Sequence, residues 1–159
     1  MNYFELFGIP VSIKINKDKL AETFFALQKK YHPDFFANAT EAEQEEALQN
    51  SSDANKALKI FRSEDQTIKY VLQLKGLLEE EEKYQLPPAF LMEMMELNEE
   101  LSDDTSAKIE ALEEQLRAGV SSIINNYDDD QTTTEELLQL KEYYYKKKYL
   151  QRILERIGD

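Results

Sequence analysis

The 159-residue chain carries one histidine and no cysteine, and that inventory limits the chemistry its side chains can perform. His32 stands two residues before Asp34 in Tyr31-His32-Pro33-Asp34. An imidazole titrates near neutral pH and a carboxylate can orient it, so the pair has the makings of an acid–base couple. A hydrolase needs more than this. The sequence has no Gly-rich phosphate loop, no Gly-x-Ser-x-Gly elbow and no second histidine, and nothing beside the pair qualifies as a nucleophile. Without cysteine there is no disulfide, no thiolate ligand and no thiol nucleophile. One histidine cannot build a histidine-based zinc cage within one chain. The chain therefore reads as a non-enzyme with no catalytic residue, metal site or cofactor of its own, and any link to metal chemistry must run through a partner. Detectable ATP or ester turnover by the purified chain would revive the hydrolase reading.

The same residues suit docking. Pro33 fixes one backbone torsion, so His32 and Asp34 project from a pre-set bend. Lys29 and Lys30, one turn earlier, can meet an acidic partner and speed encounter. A plainer reading also exists, because proline and aspartate both favour ordinary turns.

The elements that must position this bend are helical. Four glycines, four prolines and long runs of helix formers indicate an all-α protein, and 42% hydrophobic residues suffice for a core. Gly8 and Pro10 interrupt the opening segment. A helix with Leu20, Phe24 (or Phe25), Leu27 and Tyr31 at helical spacing is capped by Asn16 or Asp18 and must end near His32, before Pro33. Thr40-Glu41-Ala42-Glu43 fits a capping box for a second helix through Ala47, Leu48, Ala54, Leu58 and Phe61. A short helix with Ile68, Val71 and Leu72 follows. Gly76 and the acidic run at 79–82 mark a linker or elbow. Three longer helices are then predicted at about residues 88–101, 105–126 and 133–157, the simplest arrangement being an antiparallel bundle. The predicted domains are 1–75, a linker at 76–86, and the bundle at 87–159.

Charge divides unevenly along this plan. Residues 1–36 hold five lysines and four acids, a net +1, so the remainder carries −14 of the total −13. So acidic a protein is a poor binder of nucleic acid or anionic membrane. Tyr143-Tyr144-Tyr145 followed by three lysines could suggest a nucleic-acid surface, but reads better as a solvated bundle face. No window is apolar for long enough to span a bilayer, and MNYFELFGIP lacks the layout of a signal peptide; a soluble, cytoplasmic protein is expected.

Between two helices near the N-terminus, and after Lys29-Lys30, the His32-Pro33-Asp34 loop resembles that of a J domain. The opening Tyr3-Phe4-Glu5-Leu6-Phe7-Gly8-Ile9 is similar to the start of such domains. The resemblance implies an antiparallel helical hairpin with short flanking helices, and a docking surface for a DnaK/HscA-type chaperone ATPase. His32, Pro33 and Asp34 would stimulate ATP hydrolysis, and Lys29 and Lys30 would flank them as electrostatic contacts.

Phe90-Leu91-Met92-Glu93-Met94-Met95-Glu96-Leu97-Asn98-Glu99-Glu100-Leu101 narrows the family. At about 100° per residue, Phe90, Met94, Leu97 and Leu101 form one stripe, the natural core face. Leu91, Met92 and Met95 fall opposite, among Glu96, Glu99 and Asp103. Apolar residues rimmed by acids read as a protein-binding patch, although a helix touching two neighbours would bury both stripes. The segment looks like that of HscB-type co-chaperones. That resemblance implies that the C-terminal three-helix bundle holds an IscU-type iron–sulfur scaffold through Leu91, Met92, Met95, Glu96 and Glu99. Tyr149, near the end of the last helix, stands where the family uses an aromatic. Asn55-Lys56-Ala57-Leu58 and Ser63-Glu64-Asp65-Gln66-Thr67-Ile68 depart from common J-domain packing patterns. No cysteine-bearing N-terminal extension of the kind seen in some eukaryotic relatives is present, which favours a bacterial-type protein. The expected role is to deliver the scaffold to the chaperone for cluster assembly and transfer; the alternative is a J-domain co-chaperone or helical adaptor for a different client.

Overall fold

The computed structural model describes residues 1–158. It is all-α, with helices α1 (Tyr3–Phe7), α2 (Lys17–Lys30), α3 (Glu41–Phe61), α4 (Glu64–Leu74), α5 (Pro88–Glu99), α6 (Thr105–Asn125) and α7 (Thr134–Gly158), and a 3₁₀ turn at Pro33–Phe36. Two compact units divide between Val71 and Leu72, inside α4.

The first unit is built around the α2–α3 hairpin. Asn16 caps α2, its Oδ1 accepting from the Lys19 amide at 3.0 Å, and Thr40 caps α3 by accepting from Glu43 N–H; both satisfy donors a helix start leaves open. Leu20 and Leu27 on α2 and Ala47, Ala54, Ala57 and Leu58 on α3 are all buried, and the two helices pack on each other. Gln28 and Ser51 fasten the hairpin: the Ser51 hydroxyl donates to Gln28 Oε1 at 2.8 Å and Gln28 Nε2 donates to the Ser51 carbonyl. α1 closes the end of the unit with Phe4 and Phe7 packed on Phe61, ring centroids 4.8 and 5.5 Å apart. Gly8, at φ 66°, ends α1 in a left-handed conformation that a glycine adopts without strain. Phe24 is half-buried while Phe25 points outward. Leu48, placed among the packing residues by its spacing, is exposed instead.

The second unit is a bundle of α5, α6 and α7. Phe90, Met94, Ile109, Leu150 and Ile153 form one buried cluster, with Leu97, Leu112, Leu116 and Tyr149 against it. A reciprocal capping box starts α7: Glu136 N–H donates to Thr133 Oγ1, and Thr133 N–H to Glu136 Oε1, both at 3.1 Å. Two expectations are corrected here. Helix α5 stops at Glu99, so Leu101 lies beyond it and is exposed; Glu99 and Glu100 stand at the negative end of the helix dipole, which disfavours another turn. Tyr143 and Tyr144 are buried rather than solvated, and Tyr145 stacks on Tyr84 at 4.4 Å.

Residues 76–86, which read as a linker, are pinned to this second unit. Leu78 is buried. Lys141 Nζ donates to Glu82 Oε2 at 2.6 Å, and the ammonium holds that carboxyl below its usual range. Burial, then the neighbouring Glu82 charge, pushes the Tyr145 hydroxyl up to about 12; it stays protonated and donates to Glu82 Oε1. Among the described residues no helix is long and apolar enough to cross a membrane, and no cluster of side chains is arranged to hold a metal ion.

Candidate functional sites

The first candidate site is the bend after α2. Its helix ends at Lys30 because Tyr31 leaves helical geometry and Pro33 supplies no amide. The chain then turns sharply. His32 caps the 3₁₀ turn: its Nδ1 accepts from Asp34 N–H at 3.2 Å, and its carbonyl accepts from Phe35 N–H at 3.0 Å. With Nδ1 so engaged, the neutral ring carries its proton on Nε2, free to donate to a partner. The Asp34 carboxylate lies 3.6 Å from Nδ1, and the two side chains are 55% and 89% exposed. Both side chains thus stand open to solvent at the bend, where a partner surface could reach them.

Lys29, Lys30, His32, Pro33 and Asp34 are all exposed, and the structure brings the five together within one turn of helix and the bend after it. Lys30 Nζ sits 5.3 Å over the Tyr31 ring. Two residues that the sequence did not single out join them. Phe35 projects into solvent with its ring edge-on to His32. Gln44, on α3, reaches back and donates its amide to the Phe36 carbonyl at 2.9 Å and, more weakly, to that of Ala39. Phe35 could have been flagged as an aromatic just after the proline bend. Gln44 carries no local signal, because its importance comes from the returning loop.

The second candidate site is the outer face of α5. Phe90 and Met94 point inward, Met94 with 0% exposure, while Leu91, Met92 and Met95 are 37%, 65% and 60% exposed. Residues three and four apart share a helix face, so these three make one contiguous apolar patch. Glu96 and Glu99, one turn on, are exposed and border it. Tyr149 belongs to α7, where its half-buried ring meets Phe90 edge-on at 6.0 Å and carries the Arg152 guanidinium at 5.6 Å. It thus reaches α5 beside the first residue of the patch, through the core-facing side of that helix.

The long tyrosine and lysine run of α7 forms no stacking platform for bases, since Tyr143 and Tyr144 are buried and Tyr145 is covered by Tyr84.

Comparison with known proteins agrees with the all-α fold. Residues 86–158 match the family model for the HSCB C-terminal oligomerisation domain. A co-chaperone protein HscB homolog of Vibrio cholerae serotype O1, strain M66-2, is 40% identical over 107 residues, covering 67% of this chain and 63% of that protein. The homolog of strain N16961 matches to the same extent. The aligned stretch is therefore less than two-thirds of these curated relatives. Among solved structures, the chaperone HscB from Vibrio cholerae is 30% identical with a TM-score of 0.63, over 99% of each chain. The human co-chaperone protein HscB is 26% identical with a TM-score of 0.77, over 99% of this chain and 81% of that one. Because the likeness to the Vibrio structure runs through both units, and the family model independently claims the second, the chain belongs to the HscB co-chaperone family.

Proposed function

We propose that this chain is a cytoplasmic co-chaperone of iron–sulfur cluster assembly, which stimulates a DnaK/HscA-type ATPase and delivers an IscU-type scaffold to it. The observation that carries this reading is the split of α5 into a buried face and an exposed apolar one. Leaving Leu91, Met92 and Met95 in water forgoes their burial, on the order of 25 cal/mol per Å², and a partner surface recovers it. Methionines adapt to a partner's contours. Glu96 and Glu99 select a partner with basic or donor groups around an apolar centre, and Tyr149 adds an aromatic edge.

The bend serves the ATPase. Lys29 and Lys30 attract an acidic surface, and His32 and Asp34 then engage it from a backbone that Pro33, the Asp34 amide bond to His32 and the Gln44 clamp have already ordered. Preorganisation of this kind lowers the entropy lost on binding. The chain contributes no catalytic group; ATP is hydrolysed by the partner, and the iron–sulfur cluster is the scaffold's cargo. Holding both proteins raises the scaffold's effective concentration at the chaperone's peptide site, and hydrolysis then traps it there.

A pull-down with the full chain from a bacterial lysate tests the assignment. Recovery of both a DnaK-class ATPase and an iron–sulfur scaffold is expected. Recovery of the ATPase without the scaffold would mean that α5 serves another client.

A further inference from the structure

We propose that Met92 and Met95 are an oxidation site whose conversion to sulfoxides closes the scaffold-docking face, an inference that rests on the reading of that face given above. The chain has four methionines. Met92 and Met95 are exposed on one turn of α5, while Met94 between them is fully buried. A peroxide in solution therefore reaches the two interface sulfurs and not the core one. The sulfur lone pair attacks one peroxide oxygen, the O–O bond breaks and an S–O bond forms. The thioether loses two electrons, and hydrogen peroxide leaves as water.

The product is mismatched to its place. A sulfoxide oxygen is a strong acceptor, and burying it in an interface without a donor is costly. Of the side chains one turn away from Met92 and Met95, which are Pro88, Ala89, Leu91, Glu96, Asn98 and Glu99, only Asn98 carries a donor, and it is half-buried. The bordering carboxylates only accept. The change is reversible, because a thiol-dependent methionine sulfoxide reductase removes the oxygen as water with two electrons from its thiols. The device would hold back scaffold delivery while peroxide is present and release it afterwards.

The test treats the full chain with hydrogen peroxide, maps oxidation by peptide mass spectrometry and measures binding to a purified IscU-type scaffold. Met92 and Met95 should gain oxygen well before Met94, scaffold binding should weaken by about tenfold or more, and sulfoxide reductase should restore it. In a Met92→Leu, Met95→Leu chain, peroxide should leave affinity at that variant's own starting value. Oxidised protein that binds as tightly as untreated protein, oxidation of Met94 at the same pace, or an equal peroxide-induced loss in the leucine variant would each overturn the proposal. Untreated protein that fails to bind the scaffold overturns the docking assignment itself, and this inference with it.

Discussion

Met94 and Met95 are neighbours in the chain and differ sharply in environment: Met94 is sealed in the core with Phe90, Ile109, Leu150 and Ile153, and Met95 is open to solvent. One side chain maintains the bundle and the other stands in water. Two truncations of the same residue type should therefore separate stability from binding.

Met94→Ala removes a fully buried side chain and leaves a cavity, at a cost of about 2–5 kcal/mol. Met95→Ala should change stability by no more than about 0.5 kcal/mol while weakening scaffold binding. Urea denaturation followed by far-UV circular dichroism, beside a titration with the scaffold, reads both effects.

The Glu82–Lys141 pair makes the second unit sensitive to acid. Lys141 lowers the Glu82 pKa in the folded chain below the ordinary 4.5, so on acidification the unfolded chain takes up this proton first. Stability from the pair is complete above about pH 4.5 and is lost as pH falls through the depressed folded value. Glu82→Gln should remove that part of the acid dependence. At neutral pH it should cost about 1–3 kcal/mol, because the Lys141 side chain is only 12% exposed and loses its carboxylate partner. Urea midpoints measured between about pH 3 and 6 would show a shallower slope for the variant than for the parent.

Gln44 ties down the backbone just after the bend through the Phe36 and Ala39 carbonyls. Gln44→Ala removes the side-chain bonds to the Phe36 and Ala39 carbonyls at a cost of about 1 kcal/mol, with α3 intact. The expected result is unchanged helix content, faster hydrogen exchange at the Ala39 amide, which donates to the Phe36 carbonyl, and ATPase stimulation reduced several-fold. A raised chaperone concentration should recover the loss if it stems from docking geometry.

How far the sequence reveals these features depends on whether their cause is local. Asn16, Thr40 and Thr133 mark helix starts because a cap works through a side chain and an amide two or three residues on. The two faces of α5 follow from helical spacing alone. The attachment of residues 76–86 does not, since Glu82 and Tyr84 find their partners about sixty positions later, at Lys141 and Tyr145; an acidic run reads the same whether solvated or clasped. Three successive tyrosines at 143–145 carry no phase by themselves; Tyr144 continues the stripe of Leu140, Leu150 and Leu154, whereas the burial of Tyr143 has no such signal. Leu101 continued the apolar stripe of α5 by spacing, and only the charge at the helix end argued against it. Gln44 was silent for the same reason as Glu82, its partners being carbonyls that a folded loop brings back.

The division of labour between bend and bundle is tested most directly by steady-state ATP hydrolysis of a DnaK/HscA-type chaperone, with and without an IscU-type scaffold, in the presence of three forms of this chain. The parent should stimulate hydrolysis, and more strongly with scaffold present. His32→Gln should abolish stimulation under both conditions while still binding scaffold. The Leu91→Ala, Met92→Ala, Met95→Ala form should keep the stimulation seen without scaffold and lose only the added response. Full stimulation by His32→Gln, or an undiminished scaffold response in the triple variant, would contradict the assignment.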